Sequence, residues 1–188
     1  MNYTKTASRM TSLQVRRLTY AALYLALAMI LPFVTGQIPE IGSMLCPMHI
    51  PVLLCGFMCG WSWGLAVGFI SPLLRSVLFG MPAMFPGAVA MAFELAVYGG
   101  LAGFLHHRLP GNRGVALYTV LLISMVAGRM VWGIVRVILA GMSGSSFTWA
   151  LFLSGAITSA IPGIILQLVL IPVLVFSMER AGLSLNAR

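Results

Sequence analysis

The chain has 188 residues, 60% of them hydrophobic and only 7% charged, with a mean hydropathy of +1.02. Soluble domains carry about 25% charged residues, so this composition excludes one and requires an integral membrane protein. The net charge of +8 does not point to nucleic acid, because the basic residues stand in short clusters between apolar runs, with no basic stripe or RNA-binding motif.

In chain order, Lys5, Arg9, Arg16 and Arg17 precede a charge-free run from Leu18 to Pro39. That run is too long for a signal-peptide core and lacks a small-residue cleavage site, so it reads as a membrane anchor. Apolar runs broken by Gly, Pro or charge predict spans over about 15–35, 48–60, 62–80, 84–106, 114–140 and 148–178. The stretch 48–80 is either one long tilted helix or a pair turning at "GWSWG". Counting Lys and Arg decides between them, since cytoplasmic loops accumulate these residues. With six spans, Lys5, Arg9, Arg16, Arg17, Arg108, Arg113, Arg180 and Arg188 all fall on one side; with five they divide evenly.

The expectation is an all-α membrane protein, one domain over 1–188, with six transmembrane helices and both termini cytoplasmic. Its second helix is short, about 20 Å at 1.5 Å per residue against a hydrocarbon core of about 30 Å, and so needs protein over its ends. Gly56, Gly60, Gly64 and Gly68 recur every four residues there, which permits close backbone approach; general glycine enrichment of membrane helices is the alternative. The outward loops are "TGQIPEIGSMLCPMH", "FGMPAMFPG" and "GMSGSSFT", of a composition suited to adjustable lids.

No aspartate occurs, and Lys5 is the one lysine, which excludes an aspartyl intramembrane protease and a Walker A loop. HExxH is absent and the chain holds no catalytic constellation, so no enzyme activity and no cofactor are expected. Arg75, Glu94, Arg129 and Arg136 fall inside predicted spans, where an Arg costs at least about 2.5 kcal/mol and demands a partner or a wet cavity. Glu94 and Arg129 lie near the midplane, Arg75 and Arg136 about one turn inside the outer surface. Arg129, Trp132 and Arg136 share a face of one helix. Glu94 and Arg129 either form an ion pair joining two helices or contact a substrate; Arg75 and Arg136 call for an anionic partner or snorkel to headgroups.

His49, between Pro47 and Pro51 where the second helix begins, has three open readings: a metal ligand with Cys46, a helix-capping or interfacial residue, or a pocket rim. No metal site is assigned. Cys55 and Cys59, four apart on a helix, have poor geometry for a disulfide and read as packing residues. Met81, Met84, Phe85, Phe147 and Trp149 are either an interfacial belt or apolar cover for a small ligand.

Six spans in this length, "YAALYLALA" in the first helix and "HIPVLLCGFMCGWSWGLAVGFISPLLRS" across the second and third resemble the substrate-binding S component of energy-coupling factor (ECF) vitamin transporters. The resemblance implies a bacterial cell-membrane subunit that captures a vitamin or precursor from outside and topples against a T component driven by two ATPases. It maps a small-residue contact for the T component to Ala22 and Ala26. Cobalt and nickel S components carry Met-His at the extreme N-terminus, whereas Met48 and His49 are internal, which argues against a metal substrate. The turn between helices 2 and 3, often GPKYG-like in the family, reads "GWSWG" and lacks its basic residue. The expected site comprises His49, Arg75, Met84, Phe85, Glu94, Arg129, Trp132 and Arg136, receiving an anionic vitamin such as pantothenate, with folate, pyridoxine, hydroxymethylpyrimidine or another small cofactor precursor as alternatives. The rivals are a proton-coupled transporter that uses Glu94 and a structural or sensory membrane protein.

Overall fold

The computed structural model describes residues 3–34, 45–109, 112–144, 148 and 161–185. They form α1 (Tyr3–Val34), α2 (His49–Cys59), α3 (Trp61–Phe79), an irregular turn (Met84–Ala88), α4 (Val89–Arg108), α5 (Arg113–Met142) and α6 (Ile161–Arg180). No strand occurs among the described residues. Five segments, Ser12–Val34, Trp61–Phe79, Met84–His106, Arg113–Met142 and Ile161–Arg180, are long and apolar enough to cross a membrane, and α2 is the shorter apolar helix. The molecule is thus a multi-pass, all-α membrane protein. Most of the first and much of the third predicted outward loop lie outside the described residues, as do Phe147, Trp149 and residues 149–160 of the last predicted span.

The main boundary differences have local causes. α1 starts well before the apolar run because no Gly or Pro interrupts residues 3–31, and hydropathy marks only the part of a helix that meets lipid. α5 starts at Arg113 because the Asn112 side chain accepts a hydrogen bond from the Gly114 amide at 3.2 Å, an N-cap.

The break between α2 and α3 is a single residue. Gly60 has φ 100° and ψ 172°, a backbone conformation that L side chains rarely adopt, and its N–H donates to the Gly56 carbonyl at 3.1 Å. The chain folds back so tightly that a Cβ on Gly64 would stand 2.7 Å from the Gly56 Cα and nearer still to the Gly99 carbonyl. The glycine repeat therefore permits close approach, and α4 contributes Gly99 and Gly103 to the same seam. With main chain this close on two sides, every residue of α2 is buried, which answers how a short helix survives in lipid.

Around α2 the core gathers Tyr24 and Ala28 of α1, Leu95 and Tyr98 of α4, Leu117 and Leu121 of α5, and Ile171 and Val175 of α6, against Leu53, Phe57 and Met58. The opposite faces of α1, α3 and α5 expose Leu18, Val77, Leu122, Val126 and Ile134, as lipid contact requires.

The end of the bundle predicted to be cytoplasmic is closed by the tail. Gly182, with φ 70°, ends α6 in a Schellman turn in which Gly182 N–H bonds the Glu179 carbonyl and Leu183 N–H the Met178 carbonyl. Leu185 N–H then bonds the Met58 carbonyl at 3.0 Å, and Arg17 donates to the Leu185 carbonyl at 3.0 Å. His106 of α4 meets Glu179 of α6 at 3.2 Å at this end, beside a cavity of about 220 Å³ that Arg113 and Ser184 help to line.

The seam makes a direct prediction. Gly64→Ala forces main chains apart and should lower stability by about 1–3 kcal/mol, the usual range for overpacking. Gly141→Ala, where a Cβ meets nothing within 4 Å, should leave the thermal midpoint in detergent unchanged or slightly raised.

Candidate functional site

α4 presents Ala90, Glu94, Tyr98 and Ala102 on one buried face, at the four-residue spacing of a helix. α5 approaches that face through Gly128, where a Cβ would strike the Tyr98 ring and come within 3.2 Å of the Glu94 carbonyl oxygen. This contact brings the next residue, Arg129, onto the Glu94 side chain, Nη1 to Oε1 at 3.1 Å. The same oxygen lies 3.4 Å from His49 Nε2 at the start of α2, and the His49 ring stands edge-on to Tyr98 with centroids 5.1 Å apart. Arg129 Nη2 also donates to Cys46 Sγ at 3.5 Å.

Glu94 is 1% exposed and His49 2%, so the carboxylate is withdrawn from both lipid and water. One full charge of each sign, with His49 placed to donate a further hydrogen bond, makes a compact and electrically balanced centre. Glu94 and Arg129 thus form the ion pair that was one of their two sequence readings. An uncompensated carboxylate at this depth would be strongly destabilising, whereas the pair is tolerable because each charge has a close partner.

The structure changes the reading of His49. It stands at the depth of Glu94, near the middle of the Met84–His106 span, and not at an outer rim. The reason is that α2 begins inside the bundle, with Cys46, at φ 47°, already within reach of Arg129 just before it. Among the described residues no group of three His, Cys, Asp or Glu side chains could hold a metal ion.

The other expected site residues fall elsewhere. Arg75 of α3 is buried, donates to the Met29 carbonyl of α1 at 2.6 Å, and lies 5.0 Å from the Phe33 ring and 5.3 Å from the Phe79 ring. Its partners are thus a main-chain carbonyl of α1 and two aromatic rings. Arg136 lies two turns beyond Arg129 on α5, half-buried, with its guanidinium carbon 5.7 Å from the Trp132 ring. Met84 and Phe85 are exposed on the turn that leads into α4. Ala22 and Ala26 are exposed on α1, away from the buried Ala21, Tyr24 and Ala28.

Sequence reasoning did not assign Tyr98, Gly128 or a cluster role for Cys46. The available signal was the spacing of Glu94 and Tyr98, four apart on one helix face, and of Gly128 beside Arg129.

Breaking this centre on one side should cost more than removing it. Glu94→Gln leaves Arg129 buried without its counter-charge, and a loss of about 3–5 kcal/mol is expected. The double variant Glu94→Leu with Arg129→Leu should be less destabilised than the sum of its single changes, as thermal or denaturant unfolding in detergent would show.

A family model described as ECF transporter, substrate-specific component, matches residues 16–175. No match was found among curated proteins or among solved structures.

Proposed function

The chain belongs to the substrate-specific components of ECF transporters, and on that premise we propose that it captures a water-soluble vitamin or vitamin precursor at the Glu94–Arg129–His49 centre. The observation that carries this reading is that centre itself, a charged and hydrogen-bonding cluster buried midway through an apolar bundle. Lipid offers nothing to such groups, and ionisable residues at this depth mark solute pathways more often than they serve packing.

In this reading the protein sits in the bacterial cell membrane with both termini cytoplasmic. It hands its ligand on in complex with a T component and two ATPase subunits, which supply the ATP hydrolysis that it does not itself perform. The favoured ligand is a small anionic vitamin, pantothenate-like, its anionic group meeting Arg136. Trp132, Met84 and Phe85 give apolar cover. Ala22 and Ala26, small and exposed on α1, suit close packing of the T component.

A proton-coupled carrier built on Glu94 finds less support, because its Oε1 already holds Arg129 and His49. Vesicle uptake separates the two. Transport should require the T and ATPase subunits and survive a protonophore; uptake that persists without those subunits and collapses with the protonophore sinks the proposal. Ala26→Trp should abolish uptake while leaving ligand binding intact. Arg136→Ala should weaken binding of an anionic ligand more than tenfold, and unchanged affinity would remove Arg136 from the site.

A further inference from the structure

Among the described residues, the polar atoms buried without a hydrogen-bond partner include His49 Nδ1, Arg129 Nε, Ser124 Oγ and Gln167 Oε1. Two belong to the centre already described. The others belong to residues with no role so far, Ser124 of α5, 0% exposed, and Gln167 of α6, 1% exposed. Buried polar groups in folded proteins are nearly always hydrogen-bonded, so an orphan calls for an explanation such as a ligand or a water. The cost of leaving one unpaired is greater still in a bundle surrounded by lipid.

Position relates them to the centre. His106 and Glu179 meet at 3.2 Å, which fixes the relative depth of α4 and α6 at one end. Glu94 precedes His106 by twelve residues and Gln167 precedes Glu179 by twelve, and both helices run toward that contact. At 1.5 Å per residue each stands about 18 Å from it, so Gln167 is level with Glu94. Gln167 also shares its helix face with Gly163, Ile171 and Val175, all buried. Ser124 lies one turn from Gly128, the glycine packed on Tyr98 and the Glu94 main chain, and so faces α4 just below the ion pair.

We infer that Gln167 and Ser124 are ligand-contacting residues that select an amide-like group, one carrying an N–H donor beside a carbonyl or ring-nitrogen acceptor. A glutamine side chain matches such a group donor to acceptor and acceptor to donor, and a serine hydroxyl takes either role. His49 Nδ1 is an acceptor when Nε2–H faces Glu94, which adds a second demand for a ligand N–H. Because Glu94 already balances Arg129, this part of the ligand is neutral. The inference rests on the capture function proposed above and assigns to it the recognition of the uncharged part of the molecule.

The test is equilibrium binding and thermal stabilisation of the detergent-solubilised full chain. The probes are pantothenate, folate and hydroxymethylpyrimidine, which carry such N–H groups, pyridoxine, which lacks the amide-like pair, and the N-methylated form of whichever N–H probe binds. The expected result is binding by an N–H probe, with at least tenfold loss on N-methylation and a similar loss in Gln167→Met. The two losses should not add, because both remove one interaction. The melting point of ligand-free Gln167→Met should stay level or rise, since an unpartnered polar atom has been removed. Ser124→Ala, a smaller change, should weaken the same probe without lowering the ligand-free melting point. Wild-type affinity in both variants, or wild-type binding by pyridoxine alone, overturns this inference and leaves capture standing. If no probe binds or stabilises the wild type, both fall.

Discussion

One carboxylate oxygen, Oε1 of Glu94, is the point on which three helices converge. It takes Arg129 from α5 and His49 from α2, and neither partner is dispensable to a charge held in the middle of a membrane. Much of the architecture follows from bringing these groups together. α5 must touch α4 directly, and Gly128 allows it. α2 must begin at the depth of the carboxylate, so its eleven residues reach only to the far end of the bundle, about 16 Å away at 1.5 Å per residue. Its shortness is the geometric consequence of placing His49 beside Glu94.

A half-length helix needs support that lipid does not give, and the glycine seam supplies it. Gly56, Gly64 and Gly99 let the main chains of α2, α3 and α4 meet with nothing between them, so the site rests on a rigid backing. The surrounding ties are of a different kind. Arg75 binds the Met29 carbonyl near one end of α1, and Arg17 with the tail at Leu185 binds the other. α1 is thereby fixed along its buried face while its outer face, with Ala22 and Ala26, stays open. The packing against a T component proposed above has need of that combination.

The helices were largely legible in the sequence because hydrophobic runs and breakers are local signals. Gly60 and Asn112 show their effect within a turn of where they stand. The charge count over the loops gave six helices against five, and six helices are present among the described residues. The site was legible only in part. Spacing and depth placed Glu94 with Arg129, since both residues are costly in lipid and each is the other's natural remedy. His49 was set too near the surface, because a helix that starts inside a bundle leaves no mark in hydropathy. Arg75 read as a cation in search of an anion, when its partner is a carbonyl near Pro32 and two aromatic rings that only the fold brings to it. Ser124 and Gln167 were invisible for a related reason: a neutral polar residue in an apolar helix is unremarkable until its partners are sought and not found.

The central claim is that this bundle holds a small polar molecule against the Glu94–Arg129–His49 centre. Mass spectrometry of small molecules that copurify with the detergent-solubilised protein tests it most directly. The predicted result is a single water-soluble vitamin or precursor in stoichiometric amount, absent from an Arg129→Ala preparation that is otherwise folded. No copurifying molecule, or one retained equally by that variant, would contradict it.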